Sequence, residues 1–200
     1  KKYGIEIMRL WVSAQDFTDD LRISEEILQT SVDAYRKMRN TLRYLLGALH
    51  GYDETVEHLP VERMPSLERW VLHRLHELDG VVKAGYAAYD FKKVYSALFN
   101  FCVVDLSAFY LDVRKDALYC DRPDTDRRRA CRTVMHEIFM RLTAWLAPIM
   151  PFTMEEVWLT RFPSEDDSVH LRTFPKTPRD WHNGALAENW RTIRRLRRAV

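Results

Sequence analysis

Glycine is scarce in this sequence, with 6 in 200 residues. A phosphate-cradling loop or a dinucleotide-binding turn needs clustered glycines whose amides can approach the phosphates, and six scattered ones supply neither. With only 8 prolines besides, the turn residues that an all-β fold requires about every ten positions are missing. The three cysteines, Cys102, Cys120 and Cys131, show no Cys-x-x-Cys spacing, which removes the common zinc and redox motifs and leaves each as a small hydrophobe. Free thiols and the lack of a signal peptide lead to the expectation of a reducing, cytoplasmic setting. No uninterrupted apolar run reaches the roughly 18 residues of a membrane span, so no membrane partner is expected. A Gly-x-Ser-x-Gly elbow is absent too. Nor is there an excess of one charge: 31 Lys and Arg face 29 Asp and Glu, a net charge of +2. Any basic surface must therefore be local. The first residue is not Met, and both ends run in helical pattern, so a piece of a longer polypeptide is expected.

What is present is helical. The composition is 46% hydrophobic and 12% aromatic, enough to bury a sizeable core. Ile5, Met8, Leu10, Trp11 and Val12 predict a short amphipathic helix. Ser24 is a fitting N-cap for a long one that ends among the glycines near 47–51. Pro65 suits the first position of a second long helix, with Leu67, Val71, Leu75, Leu78, Val82, Gly85, Tyr86 and Tyr89 on one face. After a brief turn at Asp90, a third carries Phe91, Val94, Leu98, Cys102, Leu106, Phe109 and Val113. It is apolar almost all round and is expected at the centre. A fourth starts at Asp124–Asp126, presents Cys131, Met135, Ile138, Leu142 and Trp145, and stops at Pro148 and Pro151. Thr153-Met154-Glu155-Glu156 has capping-box spacing and predicts a short helix through Trp158. A polar stretch, 164–184, precedes a last helix from Leu186. The fold class is all-α, an antiparallel helix bundle.

The long helix after Ser24 carries two stripes. Tyr35, Met38, Leu42, Leu45, Leu46 and Leu49 share its apolar face. Arg36, Arg39, Asn40 and Arg43 form a second stripe, read as about a quarter-turn away, at the lip of the bundle. Guanidinium groups held there suit a polyanion with planar bases, since each offers a rigid donor fork and a stackable plane. An ordinary solvated charged face reads the same way. Further arginines cluster at 127–132 and 191–198.

Catalytic machinery is not visible, and no catalytic residue is assigned. His73, His76 and Glu77 have a spacing that can hold a metal, but with no third His or Cys nearby they read as a solvated surface; no metal site is assigned. Glu155 and Glu156 point about 100° apart and read as groups satisfying a helix start rather than an acid–base pair. Asp105 and Asp112, on the apolar third helix, need a partner if buried, and Arg36 or Arg39 is the expected one. Arg39 is the stripe member expected to be buried, and Arg43, furthest along the stripe, the one expected to stay free for a polyanion. Trp11, Trp70, Trp145 and Trp158 fit core faces, whereas Trp181 and Trp190 are less clearly buried.

Beyond spacing, the wording is specific. Tyr3-Gly4-Ile5-Glu6-Ile7-Met8-Arg9-Leu10-Trp11-Val12 and Asp19-Asp20-Leu21-Arg22-Ile23-Ser24 resemble the segment after the second catalytic signature of isoleucyl-tRNA synthetases. Tyr35-Arg36-Lys37-Met38-Arg39-Asn40-Thr41-Leu42-Arg43 resembles that family's Tyr-Arg-x-Ile-Arg-Asn-Thr-x-Arg element. Tyr89-Asp90-Phe91, Phe109-Tyr110-Leu111-Asp112 with Lys115-Asp116, Leu146-Ala147-Pro148-Ile149 and Phe152-Thr153-x-Glu155-Glu156-Val157-Trp158 follow in the same order. The resemblance covers roughly Tyr3 to Trp158. Ile5-Glu6 replaces the usual Ala-Asp, Phe17 stands where Tyr is common, and Ala117 where Arg is common. Valyl- and leucyl-tRNA synthetases have related bundles, but Arg-Asn-Thr-x-Arg and Phe-Tyr-Leu-Asp favour the isoleucyl member.

The resemblance implies a tRNA anticodon-arm binding module. In it, residues 1–23 are a stem-contact segment, 24–162 the anticodon-binding bundle, and 163–200 a linker with the start of a C-terminal helical extension. Arg36, Arg39, Asn40 and Arg43 are then the tRNA contacts, and the isoleucine acceptor tRNA is the partner. A full-length ligase of this family uses ATP and Mg in a catalytic domain, with HIGH and KMSKS signatures, that this sequence does not contain, and it edits mischarged product in an inserted domain. No cofactor is implied for these residues alone. Intramolecular contacts with the catalytic domain and a monomeric state are expected. The other class left open is a helical scaffold that docks proteins and does not bind RNA.

Overall fold

The computed structural model describes residues 3–199, and for 198 and 199 the backbone alone. Two helices begin it, α1 (Ile5–Ser13) and α2 (Glu25–Ala48). Ser24 caps α2 as its spacing predicts: the Ile27 N–H donates to Ser24 Oγ at 3.2 Å. Glu25 and Glu26 fill the first turn, where the helix dipole favours acids. Beyond the end of α2, Gly51 takes φ +65°, a conformation that costs glycine little. Two short turns, Glu54–Glu57 and Val61–Arg63, lead to α3 (Ser66–Ala87).

α4 is a continuous rod, Phe91–Val113, whose middle, Phe101–Tyr110, is wound as a π-helix. It is long and apolar enough by composition to cross a membrane, yet half of it is buried in the bundle and it carries an ion-paired Asp105. We therefore read it as a core helix. α4 packs on α3 and α2. The short helix Lys115–Tyr119 turns the chain into α5 (Asp126–Leu146), whose first turn is capped by Thr125.

The centre of the molecule is α5, not α4. From Ala130 to Leu146 every α5 residue is buried except Glu137 and Met140, whereas Lys92, Lys93, Ser96, Ser107, Ala108 and Asp112 of α4 face solvent. α4 has its apolar excess because it buries one broad face and half-buries the flanks. α5 owes its position to contacts on several sides, with α2, α3 and α6, and its inward-facing Arg132 and Arg141 are paired with Glu57 and Glu137.

α6 (Pro151–Arg161) starts two residues before the expected capping box, with Pro151 in its first turn. Its cap comes from α1: the Phe152 and Thr153 N–H groups donate to Glu6 Oε1 at 2.8 and 3.4 Å. Thr153 instead bonds Tyr35 Oη at 3.1 Å. Glu155 reaches forward, accepting from Ser168 Oγ at 2.8 Å and the Val169 N–H at 3.0 Å. Residues 163–183 cross the bundle through two turns, Val169–Leu171 and Arg179–Trp181, and lead to α7 (Gly184–Ala199) on α3. Val169 and Trp181 are buried in the same core as the other helices. The described residues contain helices and turns and no strand.

Candidate nucleic-acid interface

The apolar face of α2 is locked. Met38, Leu42 and Leu45 have no exposed surface, Thr41 Oγ1 bonds Ser107 Oγ at 3.0 Å, and Tyr35 is tied to α6. Arg36, Arg39, Asn40 and Arg43 are all exposed on the other side. Arg43 lies nine residues from buried Ala34, half a turn out of phase at about 100° per residue. The stripe thus crowns the helix rather than sitting at its lip. Arg36 faces Asp33 at 3.5 Å in a well-solvated pair. Arg39, Asn40 and Arg43 have no side-chain partner among the described residues. Three polar side chains with unspent donors thus stand on a helix that is fixed from behind.

The two carboxylates expected to claim an arginine of this stripe do not. Asp105, 6% exposed, is held by Arg74 Nε at 3.2 Å and by Arg194 at 2.7 Å. Asp112 is exposed and pairs with Lys115 and Arg197, each at 3.0 Å. The reason is the winding of α4: Ser107 meets α2, while Asp105 looks toward α3 and α7. Arg39 is accordingly exposed and not buried.

The other two arginine clusters are used differently. Arg127 pairs with Asp121, and Arg128 donates to the Asp121 carbonyl at 2.7 Å. Arg129 donates to the carbonyls of Val56, Glu57 and His58. Arg132 joins Glu57 at 2.8 Å and the His50 carbonyl at 2.8 Å. Arg129 and Arg132 thus pin the 50–58 connection to α5, Arg127 and Arg128 hold the turn at Asp121, and the cluster offers little to a ligand. In the 191–198 cluster Arg194 and Arg197 dock α7, and the side chain of Arg198 lies outside the described residues.

His73 is buried at 1% exposure, so it is not part of a solvated face. Its Nδ1 accepts from the Asn183 N–H at 2.9 Å, and its Nε2 lies 3.4 Å from Glu77 Oε1. The fold does bring a third imidazole, His182, against His73 and His76, which the sequence could not show. Among the described residues no group of three or more His, Cys, Asp or Glu is arranged to hold a metal ion. Of the departures from the family wording, Glu6 caps α6, Phe17 is exposed, and Ala117 is buried at 2% exposure.

Comparison with known proteins adds the context. A family described as "Anticodon-binding domain of tRNA ligase" matches residues 68–200. The isoleucine–tRNA ligase of Mesorhizobium japonicum is 54% identical over 201 residues, covering 100% of this chain and 20% of that protein. That of Ruegeria pomeroyi is 58% identical over 92% of this chain and 19% of the relative. This chain therefore spans about a fifth of the length of the curated relatives it matches. Among solved structures, the ternary complex of Agrobacterium radiobacter K84 agnB2 LeuRS, tRNA and LeuAMS superposes with a TM-score of 0.67 at 13% identity. It covers 91% of this chain and 20% of the synthetase, and at that identity the likeness concerns the fold.

Proposed function

From the premise that this chain belongs to the anticodon-binding domain family of tRNA ligases, its relatives being isoleucine–tRNA ligases, we propose that it binds the anticodon arm of the isoleucine acceptor tRNA. The observation that carries this reading is the row Arg39, Asn40 and Arg43, exposed and unpartnered on a helix locked from behind. Arg36, loosely held by Asp33, extends it. Phosphate contacts from such guanidiniums set register, and splayed loop bases are read by stacking and edge hydrogen bonds.

The activation of isoleucine with ATP and Mg belongs, on this reading, to parts of a longer cytoplasmic enzyme, and this chain alone catalyses no ATP–pyrophosphate exchange. We take the chain to be monomeric.

Fluorescence titration with the isoleucine acceptor tRNA at several salt concentrations tests the proposal. Binding should weaken steeply with salt. Arg43→Ala should lower affinity about 5- to 10-fold and reduce the salt slope by about one, as expected for loss of one phosphate contact. Unchanged affinity and slope in this variant would remove α2 from the interface.

A further inference from the structure

Between α3 and α7 lies a second basic feature, a cleft of about 260 Å³ lined by Trp70, Arg74, Glu77, Arg191, Arg194 and Arg195. Four guanidiniums and one carboxylate thus share one concavity. They are not equivalent. Arg194 is clamped: its guanidinium lies 5.0 Å from the Trp70 ring centre and 5.2 Å from that of Phe109, and Asp105 holds it from beneath. Arg74 is held by the same Asp105 and by Glu77. Each guanidinium has five N–H donors, and these contacts leave several unspent on both. Arg191 pairs only with exposed Glu188, and Arg195 has no ion-pair partner among the described residues.

We infer that this cleft binds a phosphate of an RNA backbone, as a contact separate from the α2 stripe. A phosphodiester offers two charged non-bridging oxygens, which match a rigid donor fork better than they match a lone ammonium. Two arginines fixed in advance by a buried carboxylate and two aromatic rings lose little freedom on meeting it. The two outer arginines supply the excess positive charge. Docking of α7 does not need them. That is done by Arg194 with Asp105, Arg197 with Asp112, and Trp190 Nε1–H donating to the Ser66 carbonyl at 3.2 Å. The inference rests on the RNA-binding reading above, and one variant set separates the two.

The test uses the full chain as wild type, Arg43→Ala and the double variant Arg191→Ala/Arg195→Ala, titrated with isoleucine acceptor tRNA across a salt series. The double variant should bind about 10-fold more weakly, with a salt slope lower by about two and an unchanged unfolding midpoint. Lysines at both positions should restore most of the slope. Equal affinity and slope in wild type and double variant would overturn the assignment while leaving the α2 contact standing. A midpoint that falls together with affinity would return these arginines to a structural role and also overturn it. Sodium phosphate at matched ionic strength separates the sources of the anion. If it shifts the Trp70 indole N–H resonance in wild type alone while both proteins bind RNA equally, the cleft is a free-phosphate site and not an RNA contact. A wild type that binds no RNA removes the proposed function and this contact with it, whereas loss in the double variant without loss in Arg43→Ala removes only the α2 contact.

Discussion

Glu68 has no exposed surface, and its two oxygens are both occupied: Arg114 donates Nε–H at 2.5 Å and a terminal N–H at 2.7 Å, and Tyr110 Oη–H approaches at 3.3 Å. This fork ties α3 to the end of α4. A buried charge that loses its partner cannot be rescued by water, so Arg114→Ala should cost about 3–5 kcal/mol in urea unfolding. Replacing both residues by methionine should cost much less; equal losses in the two experiments would mean that the ion pair is not what is lost. A second prediction concerns the thiols. Burial pushes Cys102 and Cys131 up to about 12, while Cys120 is exposed. A thiolate-selective maleimide at pH 7 should label one cysteine per native chain and three in denaturant. Rapid labelling of a second without denaturant would show that the core opens. At this scale the sequence showed needs but not partners. That Asp105, on an apolar helix, required a cation was legible; that Arg74 and Arg194 supply it was not, because neither is near it in sequence.

Helix pairs set the next scale. A Cβ built on Gly85 would lie 2.5 Å from Val94 Cγ2 and 3.3 Å from the Asp90 carbonyl oxygen. The α3–α4 hairpin can therefore close this tightly only with glycine at 85. Gly85→Ala should destabilise by about 1–3 kcal/mol through overpacking. Adding Val94→Ala should recover part of that loss, since residues in contact do not add; strictly additive losses in thermal unfolding would sink this account. Gly85 was readable as one more position on an apolar face, but the close approach was not. The same limit applies to α4. A period of 3.6 picks out Val94, Leu98, Cys102, Leu106 and Phe109, all of which are buried. Along Phe101–Tyr110 the winding widens to bonds between residues five apart. Phe101 and Asp105, seven and eleven residues beyond Val94, fall on that same face, and within the widened stretch Tyr110 is buried as well. Val113, on the expected face, is 40% exposed. Helix starts at Ser24 and Thr125 were legible because their caps are local. The start of α6 was not, because its cap, Glu6, comes from α1.

For the molecule as a whole, the question is what fastens residues 163–199 to the bundle. Their sequence is polar with little period, and their shape is set by distant groups: Glu155 at Val169, Arg141 at the Lys176 carbonyl, and His73 at the Asn183 amide. The last of these makes the fastening sensitive to acid. Nδ1 of His73 accepts a proton-bearing amide, so the ring must be neutral, with its proton on Nε2 toward Glu77. Burial holds His73 below the ordinary imidazole value; Glu77 opposes this, and His182, Arg74 and His76 add to it. His136, lowered chiefly by burial with Glu54 opposing, acts in the same sense. The unfolded chain therefore takes up protons from about pH 6.5 downward, before the folded one does. Stability contributed by these rings is complete above that pH and declines as pH falls toward their folded values, by at most about 1.4 kcal/mol per unit for each ring. Unfolding free energies measured between pH 7.5 and 5 should show this decline. In His73→Gln, where the amide oxygen can still accept from Asn183, the slope between pH 6.5 and 5 should be smaller. Exchange protection of the amides at 183–187 should fall as pH is lowered in the wild type and be nearly independent of pH in His73→Gln. An identical pH profile in wild type and His73→Gln would mean that His73 does not couple the C-terminal segment to protons, and the fastening would then rest on the remaining contacts, from Glu155 at Val169 and Arg141 at Lys176 to Trp181, Trp190 and the Arg194–Asp105 and Arg197–Asp112 pairs.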